Sequence, residues 1–257
     1  MRLRVFGSGS GGNSLALRSG GTLLMVDCGF SCKELERRMA ACGVSADEAA
    51  ALFFTHDHSD HCKGLATFHK KHPQVKLYAN GNTADAIASL TGVEDGWCVF
   101  ETAEEFAVGD VGVTTFSIPH DAADPVGYLF DDGASALFVG TDMGMPTVPV
   151  KEALSRATCA VLESNHDPVL LQTSDRPVSL KQRIAGRCGH LSNGQAADLL
   201  REVQPPRLRH LLLAHLSHQC NAPYLALEAM NAALHDLGRA IDLAVLDQDA
   251  PSALYEF

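Results

Sequence analysis

At 257 residues, 46% of them hydrophobic, the chain is long enough for one large domain or two small ones with a substantial buried core. Its formal net charge of −11 argues against a surface coated in cations for gripping nucleic acid, although carboxylates that bind divalent metal are neutralised in the working protein. No run approaches the roughly 18 apolar residues of a spanning helix, and the arginines of "MRLRVFGSG" have no apolar run behind them, so neither a membrane partner nor a secretory leader is expected. The eight scattered cysteines include no C-x-x-C pair, which reads as reduced thiols and a cytoplasmic location.

In chain order, "RLRVF" reads as a strand, and "SLALRS" and "TLLMVD" as two more joined by a turn at Gly20-Gly21. "CKELERRMAACG" is helical and closes on Gly43; "AALFFT" is a buried strand. "HCKGLATFHKKH" resumes helical spacing, "KLYAN" is a strand, and "NTADAIASLTG" is a helix with a glycine stop. "EEFAVGD", "VGVTTFSI", "PVGYLFDD" and "SALFVGTD" follow as consecutive strands. A helix near 150–156, a strand "CAVLES", helices "VSLKQRIAG" and "NGQAADLLREV", a strand "LRHLLLAHL", a helix "PYLALEAMNAALHDLG" and a strand "AIDLAVLD" complete the chain. Hairpin-linked strands interleaved with helices predict an α/β (α+β) chain with mixed sheets covered by helices. With no linker and no short repeat, one domain over 1–257 is expected.

Gly7, Gly9 and Gly12 spell G-x-G-x-x-G, the dinucleotide-binding turn. That turn works only where it leads from a strand into a helix whose N-terminus holds phosphates. Here "NSLALRSGGTLLMVD" alternates, turns and alternates again, which is a hairpin, so the nucleotide reading fails on context. The glycines read as a tight strand-to-strand connection, with Ser10 and Asn13 left as candidate substrate contacts.

The strongest signal is "FFTHDHSDHCKG", where His56, His58, Asp60 and His61 fall within six residues directly after an apolar strand. Imidazole and carboxylate together suit zinc, manganese or iron, and such a spacing seldom arises for packing. Residues two apart on a loop leaving a strand can face one ion, while the neighbours Asp60 and His61 can turn to a second.

This run resembles the signature of the metallo-β-lactamase-fold hydrolases, and the resemblance extends along nearly the whole chain. Asp27, ending "LLMVD", matches the aspartate that supports the metal loop; His120 in "IPHDAADPVGYLF", Asp142 in "LFVGTDMG" and His215 in "LLLAHLS" match the remaining ligand motifs. Read singly, these are equally a strand-end cap, two turn residues and a core histidine; together and in this order they read as a site. The resemblance implies a four-layer αββα sandwich and two divalent metal ions, Zn2+ or Mn2+, with Fe as a further option. It implies one ion on His56, His58 and His120, the other on Asp60, His61 and His215, with Asp142 shared and room for a bridging hydroxide. Asp60 would also serve catalysis.

Aspartate at 142, where many true β-lactamases carry cysteine, argues against antibiotic hydrolysis. "GSGSGGNS", "PHDAADPVGY", "LESNHD", "SLKQRIAGRCGHLSN" and "LAHLSHQCNAP" resemble the YycJ/WalJ-like branch of the family, associated with exonuclease-like phosphodiesterase activity on DNA. "GHLSNGQAADLL" also resembles the histidine-plus-helix segment of ribonuclease Z-like phosphodiesterases. This suggests that His190, before a helix capped by Ser192 or Asn193, contacts a phosphate or protonates the leaving oxygen. His166 in "ESNHDP" and the cations Lys181, Arg183 and Arg187 are further candidate substrate contacts. A phosphodiester, DNA among the choices, is the expected substrate, and homo-oligomerisation stays open. Two alternatives keep the same residues: hydrolysis of a small-molecule ester, thioester or lactone, or a non-catalytic regulatory metalloprotein with structural metal.

Overall fold

The computed structural model describes residues 1–257. Its strands are β1 (Arg2–Gly7), β2 (Ser14–Ser19), β3 (Thr22–Val26), β4 (Ala49–Phe53), β5 (Lys76–Asn80), β6 (Trp97–Phe100), β7 (Glu105–Val108), β8 (Val111–Ser117), β9 (Val126–Asp131), β10 (Ala136–Gly140), β11 (Cys159–Glu163), β12 (His210–Ala214), β13 (Asp242–Val245) and β14 (Tyr255–Glu256). Its helices are α1 (Cys32–Ala41), α2 (Ser59–Cys62), α3 (Leu65–Lys71), α4 (Gly81–Thr91), α5 (Val148–Arg156), α6 (Pro168–Thr173), α7 (Val178–Ile184), α8 (Asn193–Val203) and α9 (Pro223–Asp236). Two seven-stranded sheets result, ordered β14-β1-β2-β3-β4-β5-β6 and β13-β12-β11-β10-β9-β8-β7. Both are mixed, as the interleaving of hairpins and helices predicts. No helix is long and apolar enough to cross a membrane.

The chain packs as two compact units, one of residues 1–115, 122–126 and 247–256, the other of residues 116–121, 127–246 and 257. In the first unit, β1, β2 and β3 are antiparallel neighbours, and β3, β4, β5 and β6 are parallel, joined through α1, α2–α3 and α4. Parallel strands with helical crossovers all end on one edge, where the loops that follow can meet. Asp27 follows β3 and His56 follows β4 at that edge. The second unit repeats the device with parallel β10, β11, β12 and β13, so that Asp142 follows β10, Glu163 ends β11 and His215 follows β12.

Each unit has its own apolar core. Phe6, Leu23, Met25, Leu35, Leu52, Phe54, Leu65 and Phe68 pack in the first. Phe116, Phe138, Leu154, Leu162, Leu200, Leu213 and Met230 pack in the second. The helical stretch expected from His61 onward begins earlier, at Ser59, and is broken between α2 and α3 at Gly64, which lies close against the Phe30 carbonyl. The edge strands β6 and β14 and the short helix α6 carry too little periodicity to stand out in the sequence.

Arg38, by its spacing an ordinary surface residue of α1, is buried instead, at 6% exposure. Its Nη1 donates to the carbonyls of Phe6 (2.8 Å) and Gln248 (2.6 Å), its Nε donates to Glu34 Oε1 (2.6 Å), and its guanidinium lies 4.1 Å from the Phe30 ring centre. These contacts fasten the end of β1, α1 and the 247–256 segment together. The Phe6 and Gln248 carbonyls lose this donor when the guanidinium is removed, while Glu34 keeps Arg37, so Arg38→Ala is expected to cost about 3 kcal/mol. Urea denaturation checks this; a loss under about 0.5 kcal/mol, the surface-substitution range, would contradict it.

Candidate metal centre

In the first unit, a cluster of candidate ligands is built around the Asp27 carboxylate. Its Oδ1 accepts the Thr55 backbone N–H (2.9 Å), and its Oδ2 accepts the Thr55 hydroxyl (2.9 Å) and His61 Nδ1–H (2.7 Å). With the Thr55 proton given to Asp27, Thr55 Oγ1 accepts from His56 Nδ1 at 3.0 Å. Both imidazoles are thus fixed with the proton on Nδ1 and the lone pair on Nε2, the tautomer a metal ligand needs. His56 and His61 are buried, and their rings lie 4.1 Å apart; the His56 and His58 rings lie 4.7 Å apart. Asp60 retains 20% side-chain exposure.

The loop itself is held from several sides. His61 N–H and Cys62 N–H donate to the His58 carbonyl as α2 begins. Asp57 Oδ1 accepts the Ala123 N–H at 2.9 Å. Cys28 N–H donates to the His61 carbonyl at 2.7 Å, and Asn13 N–H to the Asp60 carbonyl at 2.8 Å. The glycine hairpin is therefore joined to the metal loop, and Asn13 points its amide at Asp60 and His61, whereas Ser10 is exposed on the hairpin.

In the second unit, donor atoms of Asp142, Glu163, His190 and His215 all lie within 4.8 Å of one another. His215 Nε2 is 3.4 Å and His190 Nδ1 3.6 Å from Asp142 Oδ1, and His120 Nε2 is 3.9 Å from the same oxygen. His120 Nδ1 donates to the Gly189 carbonyl (3.1 Å), which puts its lone pair on Nε2 as well. Gly144 permits this approach, since a Cβ there would meet the Arg187 carbonyl oxygen at 2.3 Å.

Glu163 has no place among the sequence-expected residues, yet it organises this cluster. Its fully buried carboxylate accepts the N–H groups of Met143 (2.7 Å) and Leu191 (3.1 Å) on Oε2, and His190 Nδ1–H (2.8 Å) on Oε1, with His215 Nδ1 at 3.4 Å. The available signal was a carboxylate ending an otherwise apolar strand, as Asp27 does. Burial works against the charged forms of both Glu163 and His190. Their mutual attraction and hydrogen bond outweigh it, lowering the Glu163 carboxyl and raising the His190 imidazole from their ordinary values.

Asn165 donates its amide to the His215 carbonyl at 2.8 Å. His166 is buried, its Nδ1 has no hydrogen-bond partner, and burial pushes its imidazole down to about 4. Ser192 caps α8 and forms a reciprocal box with Gln195, as the sequence suggests. The three expected cations have separate partners: Lys181 binds the Gln172 carbonyl, Arg183 pairs with Asp121, and Arg187 Nε contacts Met145 Sδ.

Three site residues share a backbone signature. Asp27, Asp142 and His215 have φ of 60°, 57° and 56°, the left-handed region that non-glycine residues seldom enter.

Residues 22–215 match the β-lactamase superfamily domain model. The chain is 32% identical over 260 residues to exodeoxyribonuclease YycJ of Bacillus anthracis, covering 99% of this chain and 98% of that protein. It is 31% identical over 255 residues to exodeoxyribonuclease WalJ of Streptococcus pneumoniae, covering 97% and 94%. Among solved structures, the metallo-β-lactamase-fold protein YhfI of Bacillus subtilis shares the fold with a TM-score of 0.72 at 15% identity, covering 99% of this chain and 98% of that one.

In the metal-free protein, Glu163→Gln is expected to cost about 2 kcal/mol near neutral pH, because the half-buried His190 loses its hydrogen-bonded carboxylate and keeps only the more distant Asp142. Folding raises the His190 pKa, so the pair's contribution is full below about 6.5, the ordinary imidazole value, and fades as pH rises through the raised value. Folding lowers the Glu163 pKa, so the contribution is present above about 4.3 and is lost in acid as pH falls through the lowered value. Denaturation of both proteins across pH checks this; a pH-independent difference would contradict it.

Proposed function

Because the chain belongs to the metallo-β-lactamase superfamily and, within it, to the YycJ/WalJ family of metal-dependent hydrolases, we propose that it is a phosphodiesterase that degrades DNA from an end. The observation that carries this reading is the His190–Glu163 pair set against Asp142 and His215. Hydrolysis of a phosphodiester expels an alkoxide, which needs a proton. His190 gives its Nδ1–H to Glu163, so its Nε2 is the atom from which a proton passes to the leaving oxygen. The Glu163 carboxylate raises the His190 imidazole from its ordinary value, which favours the protonated, acid form.

The donor set fits divalent metal. Three imidazoles have their Nδ1 protons committed, to Thr55, Asp27 and Gly189, and so offer Nε2 lone pairs; Asp60 and Asp142 add carboxylates. We assign His56, His58 and His120 to one ion and Asp60, His61 and His215 to a second, with Asp142 shared, on the strength of family membership and of this tautomer pattern. When bound, two such cations neutralise charge on a transferring phosphoryl group and acidify water, and zinc, manganese or iron all suit these ligands. Asp27 keeps His61 in its ligand tautomer. His166, with its unpartnered Nδ1, the exposed Ser10, and the cations Lys181, Arg183 and Arg187 are assigned to contact with the strand.

The test separates the acid from the metal site. His190→Ala should lower the rate on an end-labelled DNA oligonucleotide by about 10²–10⁴-fold. The same variant should lose much less on bis-p-nitrophenyl phosphate, whose leaving group needs no proton. Asp60→Ala should lose both activities. Metal-loaded wild type that leaves the oligonucleotide intact, while cleaving a p-nitrophenyl ester or a lactone, would overturn the proposal.

A further inference from the structure

The glycine hairpin between β1 and β2 is in backbone contact with the metal loop. A Cβ on Gly12 would meet the Gly29 carbonyl oxygen at 2.6 Å, and one on Gly29 would meet the Asp60 carbonyl oxygen at 1.7 Å. The backbones of three segments are thus pressed close together, and two hydrogen bonds lock them: Asn13 N–H to Asp60 O (2.8 Å) and Gly29 N–H to Asn13 O (3.0 Å).

The Asn13 side chain is buried in this contact. Its Oδ1 accepts the Gly9 N–H (2.9 Å) and the Ser8 hydroxyl (3.2 Å). A backbone N–H can only donate, so the amide orientation is fixed and Nδ2 faces the metal loop. Nδ2 donates to the Gly9 carbonyl (3.0 Å), leaving one N–H directed at His61 Nε2 (3.0 Å), with Asp60 Oδ2 at 3.4 Å. Asp27 has already claimed the His61 Nδ1 proton, so Nε2 is a lone pair. A lone pair serves an amide proton or a cation, not both.

We propose that Asn13 is the loading residue of the second ion: it occupies the His61 lone pair until a divalent cation takes it, then passes its hydrogen bond to the Asp60 carboxylate. This rests on the ligand assignment made above. A hydrogen bond to an ionised carboxylate is roughly twice as strong as a neutral one, so the exchange favours the loaded state, and Asn13 strengthens binding. Partners of metal ligands typically change metal affinity by about 10–100-fold when removed. Asn13 is a positioning residue for Asp60 and His61.

The test is calorimetric titration of metal-free full-length protein with Mn2+, comparing wild type, Asn13→Ala and Asn13→Asp. Asn13→Ala should bind the first equivalent as wild type does and the second about 10-fold more weakly. Asn13→Asp keeps the acceptor for Gly9 N–H, loses the donor to the Gly9 carbonyl, and sets a second carboxylate beside Asp60; a cation relieves that repulsion, so the second equivalent should tighten about 10-fold. Opposite shifts confined to the second equivalent support the proposal. Should Asn13→Ala not fold, the Asn13→Asp titration decides alone. Two wild-type equivalents that neither variant moves, or a tighter second equivalent in Asn13→Ala, overturn the role of Asn13 and leave the ligand assignment standing. A wild type that binds no second ion overturns both.

Discussion

The candidate centre depends on strands that end in a conformation side chains ordinarily avoid. β3, β10 and β12 each run on into a non-glycine residue in left-handed conformation: Asp27 directly after β3, Asp142 two residues past β10, and His215 directly after β12. Each such residue costs on the order of 1–2 kcal/mol. Glycine would remove that cost and the functional side chain with it. The strain is held by hydrogen bonds made immediately around it. Asp27 is fixed by Thr55 and His61, His215 by the amide of Asn165, and the residue after Asp142 by Glu163. Ala103 and Gln204 share the conformation, Gln204 as the C-cap of α8, so the geometry alone does not mark a site; its recurrence at strand ends carrying carboxylate or imidazole does.

The second constraint is protonic. His56, His61 and His120 each give their Nδ1 proton to a fixed acceptor, and each acceptor is different: a hydroxyl, a carboxylate and a backbone carbonyl. This sets the tautomer before any ligand arrives, so binding requires no ring flip. His190 makes the same kind of bond to Glu163, and the buried carboxylate raises its imidazole from the ordinary value. Two buried carboxylates, Asp142 and Glu163, would cost several kcal/mol if left without positive charge. The hydrogen bond and attraction between His190 and Glu163 offset part of this within the protein, and divalent cations would compensate for the rest.

Much of this was legible in the sequence. The run from His56 to His61 stands out as a candidate site because imidazoles and carboxylate crowd six residues after an apolar strand, where packing has no use for them. The hairpin nature of the glycine loop was legible from alternation on both sides of Gly20-Gly21. What could not be read was which distant backbone each polar group would meet. Glu163 looks like the polar end of a strand until Met143 and Leu191 are seen to donate to it. Arg38 sits at a position that periodicity assigns to solvent, and it is buried because segments more than 200 residues apart in the chain converge on it. Gly29 and Gly64 carry no local pattern; their necessity comes from carbonyls of other segments lying where a Cβ would stand.

The claim on which the account rests is that imidazole and carboxylate, not the nearby thiols of Cys28 and Cys62, hold the metal. X-ray absorption at the zinc edge of the zinc-loaded protein tests this directly. The account predicts a first shell of nitrogen and oxygen alone at about 2.0–2.1 Å, with the outer-shell scattering of several imidazoles. A sulfur shell at about 2.3 Å, or a shell without imidazole scattering, would contradict it.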